Sequence, residues 1–108
     1  MSWKRVGKDK MIGSGHVGQV EVNYQTLVDI FGEPKPADVD VSKYKMDARW
    51  CLEFEDGKIA TIYNYKDGVN YLGADGKKTE EITEWHIGGF QAGVYDRVLE
   101  VIDIDYSR

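Results

Sequence analysis

"MDARWCLEFEDGKIATIYNY", Met46 to Tyr65, is the stretch on which the fold turns. Met46, Ala48, Trp50, Leu52 and Phe54 alternate with Asp47, Arg49, Cys51, Glu53 and Glu55. Strand side chains point to opposite faces with a period of two, so this alternation predicts a strand with one buried face. Asp56-Gly57 predicts a two-residue type I′ turn, the tight reversal that suits the twist of paired strands. Lys58 to Tyr65 then returns as the hairpin partner, with Tyr63 and Tyr65 on one face and Asn64 on the other.

Downstream, Lys66 to Glu81 carries Asp67-Gly68, Gly73 and Asp75-Gly76 and predicts a long polar loop with turns. Loops of that length in small domains are commonly functional. "ITEWHI" predicts a third strand, with Thr83, Trp85 and Ile87 on one face and Glu84 and His86 on the other. Gly88-Gly89 is expected to end it. Phe90 to Ile102 predicts a helix with Val94, Tyr95, Val98, Leu99 and Ile102 on one stripe, and residues 103–108 read as an acidic tail.

Upstream, His16 to Val22 predicts a strand and Asn23 a helix N-cap. Tyr24, Leu27, Val28 and Phe31 occupy one face of a short helix, which Gly32 and Pro34 end. A loop is expected over 33–43 and a flexible N-terminal arm over 1–14. The resulting β-α-β-β-β-α order predicts a single α+β domain over residues 1–108: an antiparallel β-sheet with two helices packed on one face. A small half-barrel around the C-terminal helix is the alternative.

At 108 residues the chain buries roughly 65% of its unfolded surface, enough for one core. Its 42% hydrophobic and 31% charged residues fit a soluble folded domain. A net charge of −5 argues against duplex nucleic acid, whose binding requires a basic surface along a row of phosphates. A small anion needs only two or three local donors and stays open. Cys51, the single cysteine, excludes an intrachain disulfide and a multi-cysteine zinc site. With no signal peptide and no apolar run near the roughly 20 residues of a membrane span, the sequence reads as cytosolic.

"IGSGHVGQVEV", Ile12 to Val22, spells G-x-G-x-x-G at Gly13, Gly15 and Gly18. A dinucleotide-binding turn needs the third glycine to open a helix, and here it is followed by strand. A kinase glycine loop needs companion motifs that are absent. The stretch is therefore read as a glycine-rich turn entering an edge strand. "WHIGGF", Trp85 to Phe90, is the better candidate for an anion site, because two glycines before a helix can aim backbone N–H groups at a phosphate. Against this stands a plain strand-to-helix connection with a solvated His86. In "TIYNYK", Tyr63 and Tyr65 point the same way and suit a nucleobase, though strand preference alone also favours tyrosine. No catalytic set and no metal-ligand spacing stands out, so binding is expected rather than chemistry. A Cys51–histidine pair stays open on composition alone, although a mid-strand cysteine lacks what lowers a thiol pKa.

"YQTLVDIFGEP" (24–34), "ARWCLEFEDGKIATIYNYK" (48–66) and "EWHIGGF" (84–90) together resemble small proteins of tailed bacteriophages, a group similar to the phage anti-CBASS sponge proteins. The resemblance spans roughly residues 20–100 and does not cover "GSGHVG". It implies a non-enzymatic protein of the host cytoplasm that sequesters a cyclic oligonucleotide such as 3′,3′-cGAMP without cleaving it. It further implies a homo-oligomer, dimer or tetramer, with ligand held near subunit contacts and no cofactor. The candidate ligand-binding residues are Tyr63, Tyr65 and Lys66 of the first motif and Trp85, His86, Gly88 and Gly89 of the second. The rival expectations are a protein-interaction inhibitor of a host enzyme and a small nucleotide hydrolase using His86.

Overall fold

The computed structural model describes residues 2–39, 45–91 and 93–106. The predicted alternation forms strand β3, Arg49–Phe54, and its partner β4, Ile59–Tyr63. Trp50, Leu52 and Phe54 are buried, together with Ala60 and Ile62 opposite them. The other elements are β1 (Trp3–Arg5), β2 (Gly15–Glu21), α1 (Tyr24–Phe31), α2 (Val69–Leu72), β5 (Glu84–Gly89) and α3 (Gly93–Tyr106). All strand pairs are antiparallel and lie in the order β1-β3-β4-β5-β2.

The class is α+β, with an antiparallel sheet whose core face is covered by α1 and α3. Leu27 and Phe31 of α1 and Val94, Val98, Val101 and Ile102 of α3 join Trp50, Ile62, Trp85 and Ile87 in one cluster. Each fully buried aliphatic side chain contributes about 1.5–3 kcal/mol. The two tryptophans meet edge to face at 5.3 Å. Their indole N–H groups are satisfied by backbone, Trp50 donating to the Gly32 carbonyl at 2.8 Å and Trp85 to the Val22 carbonyl at 3.1 Å. Both bonds tie the ends of α1 to the sheet, as buried polar tips require.

Several expectations are corrected. The order gains an N-terminal strand, because Trp3–Arg5 pairs with Leu52–Phe54 and Trp3 packs on Phe31. The β3–β4 turn has three residues rather than two. Among the described residues Gly57 alone of this turn has a positive φ, +87°, and its N–H donates to the Phe54 carbonyl while Phe54 N–H donates to Lys58. Only one residue then enters the left-handed region, instead of the two that a type I′ turn demands. Gly88 and Gly89 do not break β5 after Ile87 but form its last two residues. Both are paired on both sides, and α3 begins only at Gly93. The 66–81 loop holds the short α2, two 3-10 turns at 73–75 and 79–81, and a bridge from Gly68 to Lys77. The expected acidic tail is helix as far as Tyr106. Residues 40–43 of the expected 33–43 loop, and 107–108 of the tail, lie outside the described residues. Among those described, no helix is long and apolar enough to cross a membrane.

Candidate functional site

The face of the sheet opposite the helices carries two cross-strand rows. Register places Arg49, Tyr63, His86 and Gln19 side by side in one row, and Cys51, Thr61, Gly88 and His16 in the next. His16 and Gln19 share this face despite their odd spacing because β2 has a bulge between His16 and Gly18. The second row has no side chain at Gly88. A Cβ there would come within 3.0 Å of the Thr61 methyl and 3.2 Å of the Gly15 carbonyl. Glycine thus lowers the sheet surface between Thr61 and His16.

The N-terminal segment crosses this face. β1 lies at one edge of the sheet and β2 at the other, so residues 6–14 bridge the strands between them. A 3-10 turn, Lys8–Met11, rests on β3 and β4, with Met11 buried. Beneath the segment Cys51 is fully buried, and burial pushes its thiol pKa up. Arg5 anchors the start of the segment by donating to the carbonyls of Phe31 and Glu33, at 2.9 and 3.0 Å. Asp38 accepts the Lys8 N–H at 3.2 Å.

Between this strap and the sheet lies a cleft of about 690 Å³. Its strap side is formed by Lys8, Asp9, Met11, Ile12 and the 13–15 turn. Arg49, Tyr63 and Gly88 form the sheet side, with Lys45, Met46 and Tyr65 at the flank. The volume lies in the range of small-molecule sites. Three cationic side chains and one carboxylate line it, in a chain whose net charge is −5. The local excess of positive charge therefore opposes the overall balance.

Tyr63 and Tyr65, the aromatic lining of the cleft, belong to an assembly of four rings. His86 stacks on Tyr63 at 5.7 Å and meets Tyr65 at 5.4 Å and His16 at 4.9 Å. Burial lowers the His86 pKa from its ordinary 6.5, and the neighbouring His16 lowers it further. Burial raises the Tyr63 pKa, with Arg49 pulling the other way. Lys66 has a positive φ of 62°, and its ammonium lies 5.1 Å from the Tyr65 centroid and 5.6 Å from that of Tyr71. Its N–H donates to the Lys45 carbonyl at 2.7 Å. Tyr65, 39% exposed, keeps ring surface open to solvent.

This turn is set by a buried amide. Asn64 is fully buried, and its Oδ1 accepts the backbone N–H groups of Asp47 and Ala48 at 2.6 and 3.1 Å. Its Nδ2 donates to Asp47 and Asp67 carboxylates at 2.8 and 3.1 Å. Asp47 also accepts the Asn70 N–H at 3.0 Å. Every hydrogen-bonding position of the Asn64 side chain is thereby used, which fixes Tyr63 and Tyr65 on either side of it.

Of the candidate residues, Tyr63, Tyr65 and Gly88 line the cleft, His86 stacks against them, and Lys66 stands over Tyr65. Trp85 and Gly89 are on the core face. Trp85 has no exposed surface, and a Cβ at Gly89 would press on Val94 at 3.3 Å. The pair Gly88-Gly89 is no backbone nest before a helix, since both residues sit in ladders. Sequence reasoning missed Arg49, Lys45, Lys8 and the ring of His16 as parts of one site. The signal for Arg49 is the hairpin register, which sets it opposite Tyr63. Gly18, the third glycine of the G-x-G-x-x-G stretch, faces α3, where the Tyr95 ring fills the place of a side chain. Gly13 and Gly15 do border the cleft. Among the described residues, no three His, Cys, Asp or Glu side chains converge as metal ligands. No protein-family model matches the chain, and no curated protein matches it.

Proposed function

We propose that this protein binds a cyclic oligonucleotide signal, such as 3′,3′-cGAMP, in the cleft and sequesters it intact. The observation that carries the reading is the juxtaposition, in one cleft of an acidic protein, of Tyr63 and Tyr65, whose rings pack on His86, with Arg49, Lys45 and Lys8. Nucleobases stack on such rings for about 1–3 kcal/mol each, and charge-assisted bonds to phosphate are the stronger class of hydrogen bond. The resemblance to phage anti-CBASS sponges supplies the biological setting: a phage protein in the host cytoplasm that withholds an immune signal without acting as an enzyme. Competing with a host receptor calls for nanomolar affinity, about −12 kcal/mol. A homo-oligomer sharing the open side of the cleft between subunits is the economical way to enclose so large a ligand.

Calorimetry with 3′,3′-cGAMP, followed by recovery of unmodified ligand after denaturation, tests this. Nanomolar binding and intact recovery are expected. No heat across a panel of cyclic oligonucleotides, or time-dependent loss of ligand, overturns it. Light scattering is expected to give a dimer or tetramer. A second reading, contact inhibition of a host enzyme, draws on the exposed Val69, Tyr71 and Leu72 of α2. Capture of a stable host partner, insensitive to Tyr65→Ala and His86→Ala, favours that reading.

A further inference from the structure

The guanidinium of Arg49 is held at one end and open at the other. Its Nε donates to Thr61 Oγ1 at 2.8 Å, and the Thr61 hydroxyl donates to the Trp50 carbonyl at 3.0 Å. Thr61 is 1% exposed. A hydroxyl has one hydrogen, and this one is committed to the carbonyl, so Thr61 can only accept from Arg49. The pair therefore has a fixed direction, and the plane of the guanidinium is set by a buried side chain. Among the described residues no carboxylate lies within ion-pair distance of Arg49, and the residue lines the cleft. Lys8 and Lys45 line the same space. Tyr63, the cross-strand partner of Arg49, begins the aromatic wall. Directly opposed residues of neighbouring strands have Cβ atoms about 5 Å apart, so the cation and the stacking surface adjoin.

From this geometry we infer that Arg49 is the phosphate-binding residue of the cleft, with Thr61 as its positioning residue. The terminal nitrogens of the guanidinium present the fork that matches two oxygens of one phosphate, which an ammonium cannot reproduce. Lys8 and Lys45 add charge without direction. The ligand class is a phosphate-bearing nucleotide whose base reaches the Tyr63–Tyr65–His86 wall while its phosphate meets Arg49. This rests on the cyclic-nucleotide reading for the identity of the ligand, but the anion site itself does not need that ligand to be cyclic.

Two measurements separate the claims. The first follows the Arg49 Nε–H resonance of the wild-type protein by NMR during titration with inorganic pyrophosphate. A saturable shift is expected, and no shift at millimolar pyrophosphate overturns the anion site. The second is calorimetry of 3′,3′-cGAMP with Arg49→Ala, Arg49→Lys and Thr61→Val, each checked for a wild-type melting profile. A hydrogen bond to a charged group contributes about 1.5–3 kcal/mol, so Arg49→Ala is expected to weaken binding about ten- to a hundredfold. Arg49→Lys should fall between it and wild type. Thr61→Val keeps the shape but cannot accept, and should weaken binding several-fold. Wild-type affinity in folded Arg49→Ala and Arg49→Lys overturns the assignment and leaves the cyclic-nucleotide reading standing. A pyrophosphate shift with no binding of any cyclic nucleotide does the reverse. Loss in Arg49→Ala with no loss in Thr61→Val overturns the positioning role alone.

Discussion

The aromatic ring of Tyr95 lies in the space that a side chain on Gly18 would fill, and its hydroxyl donates to the carbonyl of Gln19 at 2.7 Å. Helix α3 is thereby seated on the edge strand β2 by one residue that both packs and hydrogen-bonds. Gly18→Ala is expected to destabilise the fold by about 1–3 kcal/mol, the usual cost of inserting atoms into filled space. Urea unfolding measures it. Tyr95→Phe, which keeps the ring and loses one exposed bond, should cost less. Wild-type stability for Gly18→Ala contradicts the packing described.

Asn64 is the buried joint between β4 and the turn after it. Asn64→Leu leaves two backbone N–H groups and two carboxylates without their partner, and should cost about 1–3 kcal/mol or more. Asn64→Asp places a carboxylate where Nδ2 donated to Asp47 and Asp67. It should be least stable near neutrality and recover as the carboxylates protonate, an acid dependence visible in thermal melts.

His86 gives a second pH signature. Its folded pKa is lowered from 6.5 by burial first and by His16 next, with Glu84 and Asp67 opposing. The unfolded chain therefore binds its proton at higher pH than the folded one. Stability is complete above the ordinary histidine pKa and is lost as pH falls below it toward the folded value. The melting temperature should fall as pH is lowered through the ordinary histidine range, and His86→Asn should flatten that slope. Parallel slopes in the two proteins would show that His86 titrates alike in both states.

Cys51 is expected to be inert while the protein is folded. It is fully buried, its pKa is raised by burial, and the thiolate is the reactive form. DTNB should label it slowly in buffer and within the mixing time in denaturant. Fast labelling of the native protein would mean that the strap over it opens readily.

Cleft binding also predicts a contrast between two aromatic residues of the same candidate set. Tyr65→Ala should weaken nucleotide binding by about 1–3 kcal/mol, the worth of one stacked base. Trp85→Phe, on the far face, should leave affinity near wild type while lowering stability. Isothermal titration beside thermal melting separates the two effects.

The sheet, both long helices and the pairing of Tyr63 with Tyr65 were legible because each rests on local periodicity. The site was less so, and the β3–β4 turn explains much of the gap. A two-residue loop pairs Glu55 with Lys58, and that register sets Trp50 beside Tyr63. The three-residue loop sets Arg49 beside Tyr63 instead. One residue of slip moves every side chain to the opposite face, so the cation next to the aromatic wall depends on whether Asp56 takes a left-handed conformation. Trp3–Arg5 was missed for another reason. Three residues carry no period, and their strand exists only because the margin of β3 is there to receive them. Gly88-Gly89 looked like punctuation because glycine usually is. Here a Cβ on either residue would stand about 3.0 Å from its nearest neighbour, a tight fit inside a strand paired on both sides.

The order of synthesis gives the strap another meaning. β1 and β2 are made first, yet Trp3 must wait for Phe54 and Gly15 for Gly89. Contacts so distant along the chain are slow to form. The cleft needs both margins closed before its walls face one another, so a growing chain holds no half-built cleft. Under the proposed function, capture of ligand would begin only after the last strand has been placed.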